Sequence, residues 1–169
     1  MGEASTHCSR VRSEQVNLDI SRITGSLYVG TTPGQEDFQR LHELGVRLVI
    51  NMRLLLGRPP SSSLASMRYV RLRTFDSPLL PIPSAVLMRG TRTALEVISQ
   101  GGAVYTHCSR GRHRSVAMAA AILIAQGVSP EVAMQTIMAR RAVADPGASH
   151  IRPRILEFAR AWNSTDRPS

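Results

Sequence analysis

Residues 105 to 115 read Tyr105-Thr106-His107-Cys108-Ser109-Arg110-Gly111-Arg112-His113-Arg114-Ser115. The stretch decides the fold because two kinds of element meet across it. Ala103 to His107 is short, apolar and glycine-bounded, and predicts a buried strand. The apolar run from Val116 predicts a helix from about Ser115 to Gln126, stopped by Gly127. Gly111 gives the turn between them backbone angles that a side chain would forbid. Cys108 therefore stands at a strand's carboxyl end and at the mouth of a helix N-terminus. There it faces the positive end of the helix dipole and the unpaired amides. With Arg110, Arg112 and Arg114 close by, such surroundings lower a thiol pKa from about 8.5 into the range of about 3.5 to 7.5.

The same amides, from Ser109 to Ser115, can curl round a phosphate-sized dianion as a nest. Arg114, six positions after the cysteine, comes back beside it, and its planar fork can form two parallel bonds to phosphoryl oxygens. Ser115 can give its hydroxyl to the cysteine sulfur and ease departure of the thiolate. His107 directly precedes the nucleophile, where it is poorly placed as a base and expected to tune the thiolate through local hydrogen bonds. The residues of this stretch expected to take part in catalysis are Cys108, Arg114, Ser115 and His107. The expected substrate contacts are Ser109, Arg110, Gly111, Arg112, His113 and Arg114.

Outward from this loop, strands alternate with helices. Leu27-Tyr28-Val29-Gly30 predicts a short strand, and Gln35 to Leu44 a helix with Phe38, Leu41 and Leu44 on one face. Val46 to Ile50 and Tyr69 to Leu72 predict two more strands, separated by a loop at Leu56 to Ser63. A proline-punctuated loop carries Asp76. Helices follow from Ser84 to about Ser99, from Ser129-Pro130-Glu131 with serine as cap, and from about Arg152 to Trp162. The last should face Ile155, Leu156, Ala159 and Trp162 inward. The pattern predicts a single α/β domain with a mainly parallel central sheet flanked by helices. Residues 1–20 read as a flexible arm, 21–163 as the domain and 164–169 as a tail.

A chain of 169 residues can bury the core of one such domain. The longest apolar stretch, Val116 to Ala125, would cover only about half a bilayer, so no transmembrane segment is expected. Cys8 and Cys108 are too far apart in sequence for a disulfide framework or a zinc site, which places the chain in a reducing compartment, the cytoplasm by default. Met1-Gly2-Glu3-Ala4-Ser5-Thr6 fits an N-myristoylation pattern poorly, because Glu3 stands beside the acceptor glycine.

All 21 basic residues are arginine, and the net charge is +9. No acidic residue lies between Glu96 and Glu131, and only Asp76 lies between Glu43 and Glu96. An electropositive site with one carboxylate available to it suits an anionic substrate. Nucleic acid is a poor fit as a specific partner, since three Tyr, three Phe and one Trp leave few stacking platforms. Metal ligands and cofactors are not expected, and a monomer is.

His107-Cys108-x-x-Gly111-x-x-Arg114-Ser115 resembles the active-site loop of the cysteine-dependent protein tyrosine phosphatase superfamily. Leu27-Tyr28-Val29-Gly30, Val49-Ile50-Asn51 and the Asp76 loop extend the likeness, from about Ile23 to Trp162, to the dual-specificity phosphatase branch. The resemblance implies that superfamily's fold and hydrolysis of phosphate monoesters through a phosphocysteine. The implied substrate is protein phosphotyrosine and phosphoserine or phosphothreonine. Asp76 takes by position the role of the acid that protonates the leaving oxygen, with Asp145 in Ala144-Asp145-Pro146-Gly147 as the second candidate. Asn51 would brace the loop.

Arg110, Arg112 and His113 depart from the small residues that many relatives carry there. They resemble members that act on inositol phosphates, inositol pyrophosphates or phosphoinositides, unless they merely form a solvated basic rim. Two rival classes remain. A reductase with the same spacing needs a resolving thiol, for which Cys8 is the candidate. A catalytically weak phosphate-binding module would lack the cysteine, the arginine or the acid, and this chain carries candidates for all three.

Overall fold

The computed structural model describes residues 18–60 and 66–165. Cys8, Met1 to Thr6, most of the expected arm, the serines of the 61–65 segment and most of the tail lie outside them. The elements in chain order are β1 (Ile20–Arg22), β2 (Leu27–Gly30), α1 (Asp37–Glu43), β3 (Val46–Arg53), β4 (Arg68–Thr74), α2 (Ser84–Ser99), β5 (Ala103–His107), α3 (Arg114–Ala125), α4 (Pro130–Arg140) and α5 (Arg152–Thr165).

The sheet has the order β1-β2-β5-β3-β4. Pairs β2–β5, β5–β3 and β3–β4 are parallel, and only the edge pair β1–β2 is antiparallel. All four parallel strands thus end at one edge, where the loops after them converge. Strand side chains alternate between faces, so each strand feeds two cores. Leu48, Ile50, Met52, Val29 and Val104 pack with α2, α3 and α5 on one side. Val49, Tyr28 and Tyr105 pack with Phe38 and Leu41 of α1 on the other. A register shift between Val46 and Leu48 puts Val46 on the α1 side with Val49.

Helix α3 is buried from Arg114 to Ile124. That matches its all-round apolar composition, since a helix without a polar face must be enclosed. It is the central post of the fold, and its N-terminus lies at the convergent edge.

Four expectations need correction. Order begins before residue 21: Ile20–Arg22 is a strand, and Leu18 is buried. Strand β1 is too short for alternation to show. Helix α1 has only seven residues, and Leu44, expected inward, is exposed because the chain turns at Gly45. In α5 the inward residues are Ile155, Phe158 and Ala159, with Leu156 only partly buried. Phe158 takes its place because the buried stripe follows the 3.6 period, and it stacks on Trp162 at 5.6 Å. Finally, Asn51 braces the connection after β3 rather than the cysteine loop. Its Nδ2 donates to the Leu56 carbonyl at 2.8 Å, and its Oδ1 accepts from the Arg53 amide.

Candidate active site

The cysteine loop, residues 108–113, is held by its carbonyls. Thr32 Oγ1 donates to the Cys108 carbonyl at 3.2 Å. Arg141 donates to the carbonyls of Gly111 at 2.7 Å and Arg110 at 3.3 Å. The Asp145 amide donates to Arg112, and the Ala117 amide to His113. With the carbonyls tied outward, the amides turn toward the centre of the loop. Helix α3 has no side-chain cap, so its first amides add to that ring. Gly111 makes this tight course possible. Its φ is +62°, and a Cβ there would lie 2.7 Å from the Gly30 carbonyl and collide with the Arg141 guanidinium.

Cys108 Sγ sits inside the loop, 3.3 Å from Ser115 Oγ, and the residue is 1% exposed. Burial alone would push the thiol pKa up. The Ser115 hydroxyl, the Ser115 and Arg112 amides, and the Arg114 charge more than offset it, and the net pKa is lowered.

Arg114 is nine-tenths buried. Its Nη1 donates to Thr74 O at 3.0 Å and Met52 O at 3.2 Å, the carboxyl ends of β4 and β3. Nε has no hydrogen-bond partner, and the Nε–Nη2 edge of the fork remains for an oxyanion. One nitrogen fixes the side chain while the opposite edge is presented.

Above the sulfur lies a cavity of about 250 Å³ lined by Asp76, Cys108, Ser109, Arg110, Arg112, His113 and His150. Of the expected site residues, Asp76, Cys108, Ser109, Arg110, Arg112 and His113 line it; Arg114 meets Asp76, Ser115 meets Cys108, and Gly111 is held by Arg141. Arg112 also pairs with Asp145 at 3.0 Å.

The two candidate acids differ in position. Asp76 reaches the cavity and lies 3.7 Å from Arg114 Nε. Asp145 is outside the lining, and its hydrogen bond to Arg112 holds its carboxyl below the usual range. A carboxyl held in its ionised form less often carries the proton that a general acid must give.

His107 ends β5, directly before Cys108. The ring is fully buried, neither nitrogen has a hydrogen-bond partner, and it stacks on Tyr105. Burial, then the Arg53 charge, pushes its pKa down to about 3, against a weak opposing pull from the Cys108 backbone.

Sequence reasoning missed His150 and Arg141. His150 Nε2 lies 3.0 Å from Asp76 Oδ1, yet its segment has no periodicity to orient it. Arg141 looked like an ordinary basic helix end. It is 2% exposed and uses all five guanidinium hydrogens, on Gly111 O, Arg110 O, Ser21 Oγ and both Asp19 oxygens. It clamps β1 to the cysteine loop. Arg141→Met should lower Tm by roughly 5–10 °C, since a broken clamp of this kind costs about 2–3 kcal/mol when one partner is exposed. Turnover should fall with it, as thermal melts and steady-state assays will show. Arg141 also holds the Asp19 carboxyl below its usual pKa. Its contribution to stability is therefore present above the ordinary carboxylate range and lost as pH falls through the depressed value.

A buried cysteine with a lowered pKa in a tight loop, a buried arginine and a carboxylate beside them, all at the carboxyl edge of a parallel sheet, are the arrangement of a cysteine-dependent phosphatase. The family model described as "Polymorphic toxin system, DSP-PTPase phosphatase" matches residues 24–128. The rat phosphatidylglycerophosphatase and protein-tyrosine phosphatase 1 is 34% identical over 84% of this chain and 75% of its own. Human dual specificity phosphatase 28 is 29% identical over 75% of this chain and 70% of its own. Among solved structures, PTPMT1 in complex with PI(5)P is 30% identical, with a TM-score of 0.71 over 86% of this chain and 95% of that one. Human DUSP28, at 24% identity, shares the fold with a TM-score of 0.75 over 88% of this chain and 97% of that one. The chain belongs to the dual-specificity phosphatase branch of the cysteine-dependent protein tyrosine phosphatase superfamily.

Proposed function

We propose that Cys108 attacks phosphorus in line, while the loop amides and Arg114 hold the equatorial oxygens and Asp76 protonates the leaving oxygen. Water, activated by Asp76, then hydrolyses the phosphocysteine, and Ser115 eases the thiolate's departure. The observation that supports this is that Cys108 and Asp76 line one cavity and that Arg114 Nε lies 3.7 Å from the Asp76 carboxylate. Asp76→Asn should slow turnover of p-nitrophenyl phosphate by about 10²-fold or more. A general acid is lost as pH rises, so the alkaline limb of the kcat profile should flatten in the variant. An unchanged limb would transfer the role elsewhere.

Of the substrate readings, the surroundings favour phosphate on an inositol headgroup of an anionic lipid. Arg110, Arg112, His113 and His150 line the mouth, more positive and polar surface than one phosphate monoester needs. The loops after β3 and β4 expose Leu55, Leu56, Phe75, Leu79 and Leu80 at the same sheet edge. A basic mouth between apolar loops suits a charged headgroup at a lipid surface. Likeness to the phosphatase solved with PI(5)P supports the same reading. Likeness to dual specificity phosphatase 28 supports phosphoprotein as the second.

The test compares a phosphoinositide in vesicles, its soluble inositol phosphate, an inositol pyrophosphate, a phosphotyrosine peptide and a phosphothreonine peptide. Higher kcat/KM for the vesicle than for the soluble headgroup supports the lipid reading. Preference for either peptide overturns it. A free reducing thiolate also implies a reducing compartment, and the cytoplasm meets that need.

A further inference from the structure

Asp76 does not stand alone in the cavity. His113 Nδ1 lies 3.1 Å from its Oδ1, and His150 Nε2 lies 3.0 Å from the same oxygen. The two imidazoles meet edge to face, with centroids 4.9 Å apart at 81°. One ligand atom from each of the three residues can be chosen so that all lie within 4.8 Å of one another. These residues come from three separate segments: the loop after β4, the cysteine loop and the segment before α5. The His113 and His150 side chains are only 20% and 15% exposed, against 34% for Asp76.

We propose that Asp76, His113 and His150 form a site for a zinc-like divalent cation, and that its occupation switches the phosphatase off. Two imidazole nitrogens and one carboxylate oxygen are a ligand set for borderline first-row metals rather than for magnesium or calcium. Zinc bonds of about 2.0–2.1 Å to such ligands imply ligand-to-ligand edges of about 3.3 Å in a tetrahedron. The two carboxylate–imidazole distances already lie close to that value, so the site closes with small side-chain movements. The fourth position opens into the cavity, where a water can fill it. Asp145 Oδ2 lies 3.8 Å from His113 Nε2, on the side where a carboxylate orients an imidazole that ligates through its other nitrogen.

The consequence for catalysis is direct. A carboxylate coordinated to a cation cannot carry the proton that the leaving oxygen needs, and the cation also obstructs the cavity above Cys108. The inhibition rests on Asp76 being the acid, whereas binding of the cation does not. A chelator would then raise turnover of a partly loaded preparation rather than lower it.

The test uses the full chain carrying Cys108→Ser, which removes the thiolate as a competing ligand. ZnCl2 is titrated calorimetrically, and Co2+ is followed by visible absorption. The expected result is one equivalent bound, with a four-coordinate cobalt spectrum that lacks thiolate-to-metal charge transfer. In that background His113→Gln and His150→Gln should each weaken zinc by at least about tenfold, the loss that even outer-shell changes produce. Phosphate binding in each variant checks that the pocket is folded. No binding by Cys108→Ser, or equal affinity in both glutamine variants, overturns the site. With Cys108 restored, zinc should inhibit p-nitrophenyl phosphate turnover, and the glutamine variants, each referred to its own metal-free rate, should resist it. Zinc bound to the wild type without inhibition overturns the switch and counts against Asp76 as the acid, while the substrate panel is unaffected.

Discussion

Cys108→Ser is expected to reduce turnover of p-nitrophenyl phosphate by on the order of 10⁴-fold or more, the scale at which loss of a nucleophile leaves only residual binding catalysis. Phosphate affinity should remain. The serine oxygen occupies nearly the same space in a site that is 1% exposed, and the loop amides and Arg114 keep their positions. What disappears is the anion, because a hydroxyl is not ionised by the surroundings that ionise a thiol. The reason can be checked separately in the wild type. The rate of iodoacetate alkylation should plateau at a pH below that of an ordinary cysteine, and Ser115→Ala should move that midpoint upward. The Ser115 hydroxyl is the largest of the effects that oppose burial at Cys108. Turnover by Cys108→Ser near the wild-type rate would refute the assignment.

The parts of this site that could be read from the sequence are those whose geometry is local. Strand β5 and helix α3 announce themselves by composition, and the nine residues from His107 to Ser115 suggest the nest, the fork and the hydroxyl by spacing. Asp76 is singled out by its place in the family resemblance, with a charge map that leaves few rivals, and the structure puts it in the cavity lining with Cys108. His150 and Arg141 were not legible, since each reaches the site only after the chain has packed. Arg141 is joined to Asp19 across 122 positions, and Asp19 belongs to a segment that reads as a loose arm. Strand β1 owes its order to that ion pair and to pairing with β2, neither of which local pattern reports. The ring of His107 packs against Tyr105, a contact that its place beside Cys108 in the sequence does not announce, while the Cys108 backbone acts on it as the local spacing suggests.

Arg114→Lys should lower kcat by roughly 10³-fold or more, because removing a single oxyanion donor already costs about 10²–10³ and here a two-bond edge is lost. Charge is conserved, so a site that needed only a positive point would keep most of its rate. The structure shows why it will not. Nη1 is committed to the Met52 and Thr74 carbonyls, and in the proposed mechanism the Nε–Nη2 edge would hold the oxyanion. One ammonium cannot hold two buried carbonyls at the strand ends and also make parallel bonds to a phosphoryl group. Either choice leaves polar groups unpaired, so Tm should fall as well. The thiolate offers the discriminating readout. Arg114 is the last of the causes that lower the Cys108 pKa, so the alkylation midpoint should shift only slightly upward while phosphate binding weakens sharply. That split separates a clamp on the substrate from a group that merely activates the nucleophile. A large shift in the midpoint with phosphate affinity intact would reverse the assignment, and turnover within tenfold of wild type would remove Arg114 from the chemistry.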